Sequence, residues 1–303
     1  MNLSIKNLLL KLFNFKKYKE VKTFNRRFSE KKIIESKYNN FFSNIEKKLN
    51  SKKDISFLHS GHIGDIINSL PVIKKIAENH NCHLFIQLDK KIETYYPDHP
   101  SGEYFIREKQ YNLLLPLLRK QNYLSSIKVY NGENIDIDFD IIRDMPINLL
   151  FDNSRYAFVT SGIQVNLNNP FIVVDKHPII KDRIVILRSL RYQNYFISYK
   201  FLENFPSSIF VGTENEFKEL KKDLKNLEFY ECKDFLEMAM VIKSCKLFIG
   251  NSSLGIDLAE SLKVPRLLEA CPYFPARQIH GEKGYDFYFQ THFEKYFQIL
   301  FKG

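Results

Sequence analysis

KLFIGNSSLGIDLAESLKVPRLLE, residues 246–269, reads as strand, turn, helix and strand within a single stretch. An apolar run ends at Gly250. Asn251, Ser252 and Ser253 then offer hydroxyl and amide caps to a helix that carries Leu254, Leu258 and Leu262 on one face. A second apolar run, PRLLEA, follows. A strand joined to the next by a crossover helix runs parallel to it, and the crossover is right-handed.

The same alternation extends outward through the second half of the chain. RIVILRS, SIFVG and LEFYE precede it as short apolar runs, and helical stretches fall at 196–204, 214–225, 234–244 and 252–262. Continuous apolar strands between amphipathic helices predict a parallel sheet covered on both faces. The first half repeats the theme with more irregular connections. ISFLHS is followed by the helical pattern Ile66, Ile67, Leu70, Ile73 and Ile76, which Pro71 should kink or restart, with Ser69 as a cap. CHLFIQLD, SIKVY and FIVVD read as further strands, and 104–124 as helical.

The fold expected is α/β, with two doubly wound Rossmann-like domains facing a cleft. The first spans 54–176 and the second 177–285. A final aromatic helix at 286–303 should pack back across the first domain, and residues 1–53 form a basic helical N-terminal extension.

Charge separates that extension from the rest. Of 45 Lys and Arg and 35 Asp and Glu, residues 1–53 hold 15 basic and 4 acidic side chains, leaving 30 and 31 for the body. A neutral body argues against a nucleic-acid groove, because phosphate contacts need clustered positive charge. In the extension Ile5, Leu8, Leu9, Leu12, Phe13 and Phe15 stand beside Lys6, Lys11, Lys16 and Lys17. That composition suits peripheral contact with an anionic membrane, or equally an apolar stripe packed on the body. NLLLKLFNF is too short and too interrupted by lysine to span a bilayer. The four cysteines show neither a CxxC pair nor metal spacing, as expected of reduced thiols in the cytoplasm.

Ligands of doubly wound sheets bind beyond the carboxyl ends of the strands. That rule selects His59–Asp65, Arg188–Asn194, Gly212–Glu216, Cys232–Asp234, Gly250–Ser253 and Glu269–Tyr273. The helix after Gly250, Asn251, Ser252 and Ser253 is suited either to a diphosphate or simply to an ordinary cap. Arg188 and Arg191 would leave the sheet near the same crevice, where arginine grips phosphate oxygens, or would be surface residues. Asn194, Gly212, Thr213 and Glu214 lie at neighbouring strand ends. Glu269 could accept ribose hydroxyls or pair with Arg188 or Arg266. Asp65, on the turn made by Gly61, His62 and Gly64, is either a helix-start residue or a general base facing the cleft.

In NIDIDFDIIRD, 134–144, Asp136, Asp138 and Asp140 alternate with apolar residues. This is the pattern of a half-buried strand turning polar groups outward, not of a metal site. Neither a metal nor a cofactor is expected. No GxGxxG follows the first strand, and GxxxxGK[ST] is absent, so dinucleotide and P-loop readings lose support.

SGHIGDIINSLPVIKKI resembles the N-terminal motif of family 9 glycosyltransferases, the ADP-heptose:lipopolysaccharide heptosyltransferases. CKLFIGNSSLGIDLAESLKVPRL resembles their C-terminal motif, over roughly 54–285 in the same order. The resemblance implies a GT-B-like fold, Asp65 as catalytic base, and Ser252 and Ser253 with the following amides at the donor diphosphate. Ser252 stands where the family has Asp, Leu254 where it has Gly, and Asp257 where it has His. The implied reaction is inverting and metal-independent, from a nucleoside-diphosphate sugar to a glycan or glycolipid acceptor at the cytoplasmic face of the inner membrane. A nucleotide-sugar epimerase and a catalytically silent binding protein are the alternatives on this fold.

Overall fold

The computed structural model describes residues 5–38, 40–93, 101–147 and 149–302, with side chains from Asn7 onward. The first four residues of the extension, and the side chains of Ile5 and Lys6, lie outside the described residues. Helices α1 (Ile5–Phe13), α2 (Phe15–Ile33) and α3 (Phe41–Ser51) precede the first sheet. Then come β1 (Asp54–His59), α4 (Ile63–Ile76), β2 (Asn81–Ile86), α5 (Glu108–Arg119), β3 (Ser126–Val129), β4 (Ile137–Asp138) and α6 (Tyr156–Ser161). The second half holds β5 (Ile184–Leu187), β6 (Ile209–Phe210), α7 (Glu214–Asp223), β7 (Glu228–Phe229), α8 (Phe235–Lys243), β8 (Leu247–Asn251), α9 (Leu254–Leu262), β9 (Arg266–Glu269), β10 (Gly284–Phe287) and α10 (Gln290–Lys302).

Every apolar run read in the second half is a strand. The two sheets run in the orders β3-β2-β1-β4 and β10-β9-β8-β5-β6-β7, and all their described ladders are parallel. Both orders reverse direction beside the first strand of their domain, which is where a doubly wound sheet opens a crevice. The domains are not separate bodies. One apolar core runs from the first sheet through α4 and α5 to α8 and α9, while a second lies on the far face of the second sheet.

Four expectations are corrected. Pro71 does not restart α4, which runs unbroken from Ile63 to Ile76, and Ser69 does not cap it but donates to the Ile66 carbonyl at 2.7 Å. Residues 66–73 are all buried, and that packing outweighs an interior proline's cost of roughly 3 kcal/mol. FIVVD is not a strand. Phe171, Ile172 and Val174 are buried in the connection between domains, and its amides bond to Ser261 and Gln121 instead of a ladder. The extension does not end as a unit at residue 53, because Ile45 of α3 is buried in the first-domain core. Finally, α10 packs on β9 and β10. Its Phe293 and Phe297 are fully buried with Phe201 and Phe205 of the second domain, so the closing helix caps that domain instead of crossing to the first.

Candidate active-site cleft

The carboxyl ends of β1 and β4 form the first wall of a cleft of ≈ 1320 Å³ between the two sheets. β1 turns into α4 through Ser60, Gly61 and His62. At Gly61 a Cβ would lie 2.6 Å from Arg143 Nη2 and 2.8 Å from Asp65 Oδ2, so any larger residue would push these side-chain ends from where they converge. Asp65 accepts the His62 backbone N–H at 3.1 Å, which fixes the first turn of the helix. The same Oδ2 stands 3.7 Å from Arg143 Nη2, and the side chains keep 27% and 23% of their exposure. Asp65 is therefore both a helix-start residue and a carboxylate presented to the cleft.

Behind it lies a polar floor that sequence reasoning missed. Asp140 is buried, accepts the Ser60 N–H at 2.9 Å and receives Arg143 Nη1 at 2.5 Å. Burial alone would push its carboxyl up, but His59, Arg143 and the Ser60 hydrogen bonds outweigh that and hold it at about 2. Burial draws His59 below its ordinary value, and its Nδ1 accepts the Gly61 N–H at 2.9 Å. Burial, aided by Arg191 and Arg143, also lowers His62. The acidic run is thus not an outward-facing alternation. β4 stops at Asp138, whose carboxylate accepts the Asp140 N–H at 2.8 Å and starts a 3₁₀ turn that carries Asp140 inward and Arg143 to the cleft. Asp136 accepts Ser56 and pairs with Lys52 at 2.5 Å.

The second wall brings together Arg191, Gly212, Thr213, Glu214, Ser252 and Ser253, all expected there. Tyr192, within the selected 188–194 stretch, and Phe274, just beyond the selected 269–273 stretch, stack at 4.8 Å beside them, with Arg191 over the Tyr192 ring at 5.1 Å. Thr213 caps α7, accepting the Glu216 N–H at 3.4 Å, while Glu216 accepts the Thr213 N–H in return. At α9 the hydroxyl of Ser253 donates to the Asn251 carbonyl at 3.1 Å and makes no capping bond to the helix. The first turn of α9 therefore has no cap from the Ser253 side chain, and Ser252, Ser253 and Leu254 at its start line the cleft.

Arg188, Asn194 and Glu269 do not line the cleft. Glu269 is fully buried and receives Arg188 at 2.7 and 2.9 Å, Tyr199 Oη at 2.8 Å and the Asn194 N–H at 2.5 Å. The expected ribose acceptor and phosphate clamp are the two halves of one buried ion pair. Gly250 and Asn251 also lie behind the wall, where the Asn251 amide straps Ser189 through two 2.8 Å bonds.

Where the walls meet, Gly64 touches the Asp257 carboxylate so closely that a Cβ would collide with it. Asp257 accepts Asn68 Nδ2 at 3.1 Å and pairs with Arg277 at 2.8 Å, and Arg277 in turn reaches Asn68 and Asn153 of the first domain. Burial raises Asp257 to about 6, with Asp65 and Glu260 adding to the effect and Arg277 and Asn68 opposing it. His280 and Asp152 add a second clasp at 2.7 Å.

No family model matches the chain, and no curated protein matches it. Solved structures do. A family 9 glycosyltransferase from Veillonella parvula is 14% identical, with a TM-score of 0.47 over 78% of this chain and 86% of that one. The ADP-heptose lipopolysaccharide heptosyltransferase II of E. coli is 10% identical, with a TM-score of 0.47 over 82% of this chain and 98% of that one. A UDP-GlcNAc 2-epimerase from Methanocaldococcus jannaschii, in complex with UDP-GlcNAc and UDP, is 15% identical, with a TM-score of 0.35 over 82% and 93%.

Proposed function

We propose that the protein is an inverting, metal-independent glycosyltransferase. It moves a sugar from a nucleoside-diphosphate donor to a hydroxyl of a glycolipid or surface polysaccharide of the lipopolysaccharide or capsule kind. The observation that carries this reading is Asp65: a carboxylate fixed by His62 and Arg143, still open to the cleft, across from the uncapped start of α9.

Asp65 takes the proton of the acceptor hydroxyl as its oxygen attacks the anomeric carbon. The bond from that carbon to the phosphate oxygen breaks, and its electron pair leaves with the nucleoside diphosphate. The α9 amides and Arg191 meet the charge that develops there, in the position where other transferases use a divalent ion. A base so placed contributes on the order of 10²–10⁴ in rate. Tyr192 and Phe274 offer the nucleoside an aromatic wall. A glycolipid acceptor sets the enzyme at the cytoplasmic face of a membrane, with the basic N-terminal extension ahead of α3 supplying the contact.

Thermal shift against ADP-, GDP-, UDP- and CMP-linked sugars tests the donor site, since a ligand selective for the folded state raises its melting temperature. One nucleotide class should stabilise the wild type and Asp65→Asn alike, and Arg191→Ala far less. The stabilising sugar nucleotide should then be consumed only when an acceptor is added. Turnover without acceptor would instead mark an epimerase, and no stabilisation by any of them a binding protein of another kind.

A further inference from the structure

Helices α1 and α2 stand apart from the core. Across the 19 residues of α2, roughly 28 Å of helix, no side chain is buried. A surface helix normally hides one apolar stripe against its own body. Here the stripes are left in the open: Leu9, Leu12 and Phe13 are 50%, 70% and 83% exposed on α1, and Phe24 and Phe28 are 68% and 51% exposed on α2. Asn14 joins the helices and caps α2 by accepting the Lys17 N–H at 3.0 Å, so the bend is specified. The body begins only at Tyr38, which is buried and donates its hydroxyl to the Asp144 carbonyl at 3.2 Å.

Residues 7–33 carry nine Lys and Arg against two Glu. Lys19 and Lys32 lie over the rings of Phe15 and Phe28 at 4.7 and 4.8 Å, which covers part of the aromatic surface while keeping the ammonium groups in water. Such a density of positive charge disfavours a second copy of the same arm, and the body, with 30 basic and 31 acidic residues, has almost no net charge to attract it. We infer that α1 and α2 form a docking arm for an anionic lipid surface, with Leu9, Leu12, Phe13, Phe24 and Phe28 entering the headgroup region and the lysines and arginines meeting lipid phosphates. Helix α3, whose Ile45 is buried, belongs to the body and takes no part. This deepens the reading of a membrane-borne acceptor, but it rests on charge and exposure and not on the transfer chemistry.

The test is co-sedimentation of the full chain with vesicles of phosphatidylcholine alone or mixed with phosphatidylglycerol, at low and high salt. Binding should require phosphatidylglycerol and weaken about tenfold or more at high salt. The triple variant Leu9→Glu, Leu12→Glu, Phe13→Glu and the charge reversals Lys19→Glu with Arg26→Glu should each lose about tenfold in partitioning, with the melting temperature unchanged. Asp65→Asn should still sediment, so failure of the transferase reading leaves this inference testable by itself. Equal binding to neutral vesicles, no binding to any, or a triple variant that changes oligomeric state without changing sedimentation would each overturn it.

Discussion

Arg143 and Asp65 in the first domain stand 3.7 Å apart with 23% and 27% of their side chains exposed, while Arg188 and Glu269 in the second close to 2.7 Å with the carboxylate sealed from water. Both pairs sit at the carboxyl ends of strands, and both contain the residue types of a nucleotide-sugar site. The difference lies in saturation. Glu269 receives two guanidinium nitrogens, a phenol and a backbone amide, so no acceptor site is left for a ligand. Both contacts described for Asp65 use Oδ2, which leaves Oδ1 for a substrate proton. A saturated buried pair holds a fold together; an unsaturated one at a cleft has bonding capacity to spend on chemistry.

Replacing each of the two carboxylates in turn is the sharpest way to break this contrast. Asp65→Asn keeps an acceptor for the His62 N–H but removes the base. The rate of sugar transfer should fall by about 10²–10⁴, with the urea midpoint nearly unmoved. Glu269→Ala should do the reverse. It strands the Arg188 guanidinium and the Tyr199 hydroxyl in the interior, at a cost of about 3–5 kcal/mol in unfolding free energy. Donor binding per folded molecule should change little. If Glu269→Ala abolished donor binding at full stability, the contrast would be wrong.

The pH dependence of stability sharpens it further, because two buried carboxylates are displaced in opposite directions. Asp140 is held at about 2 against an ordinary 3.8. The stability it contributes is complete above pH 4 and is lost as pH falls towards 2. Asp257 is raised to about 6 from the same ordinary value. Its contribution is complete below pH 4 and is lost as pH rises through 6, when a charge must form among Asp65, Glu260, Asn68 and Arg277. Each window is worth on the order of 2 kcal/mol. Urea unfolding across this range should show Asp257→Asn removing the decline between pH 4 and 7, and Asp140→Asn removing the one below pH 4.

How much of this was legible follows from which contacts are local. The second domain could be read strand by strand because each of its inner strands is buried on both faces, so the sequence runs apolar without interruption. β10 escaped because GYDF is an edge strand with two exposed residues and no such run. FIVVD misled for the opposite reason: apolar residues there answer burial between domains, not pairing. Asp65 could be read because its turn is contiguous. Arg188's pairing with Glu269 was one of the alternatives the sequence left open, and only the way β5, β8 and β9 lie side by side selects it over a ribose acceptor or a pair with Arg266. Arg143 was missed because the 3₁₀ turn that sets it beside Asp140 and Asp65 was disguised as strand by the strict alternation of polar and apolar residues.

Arg143 also offers the finest test of the contrast. Its Nη1 holds Asp140 at 2.5 Å, its Nη2 approaches Asp65, and its guanidinium carbon lies 4.4 Å from the centre of the Phe105 ring, so one planar fork spans a buried carboxylate and the proposed base. Lysine would keep a positive charge beside Asp140 but cannot serve both carboxylates at once. Arg143→Lys should therefore fold almost normally and lower the transfer rate about tenfold, which is ~1.4 kcal/mol of barrier. The loss should appear in kcat and not in donor affinity, because the proposed donor site lies against α9 and not beside Arg143. An equal fall in donor affinity would place Arg143 on the donor instead, and the unsaturated pair would then be a binding site on both walls of the cleft.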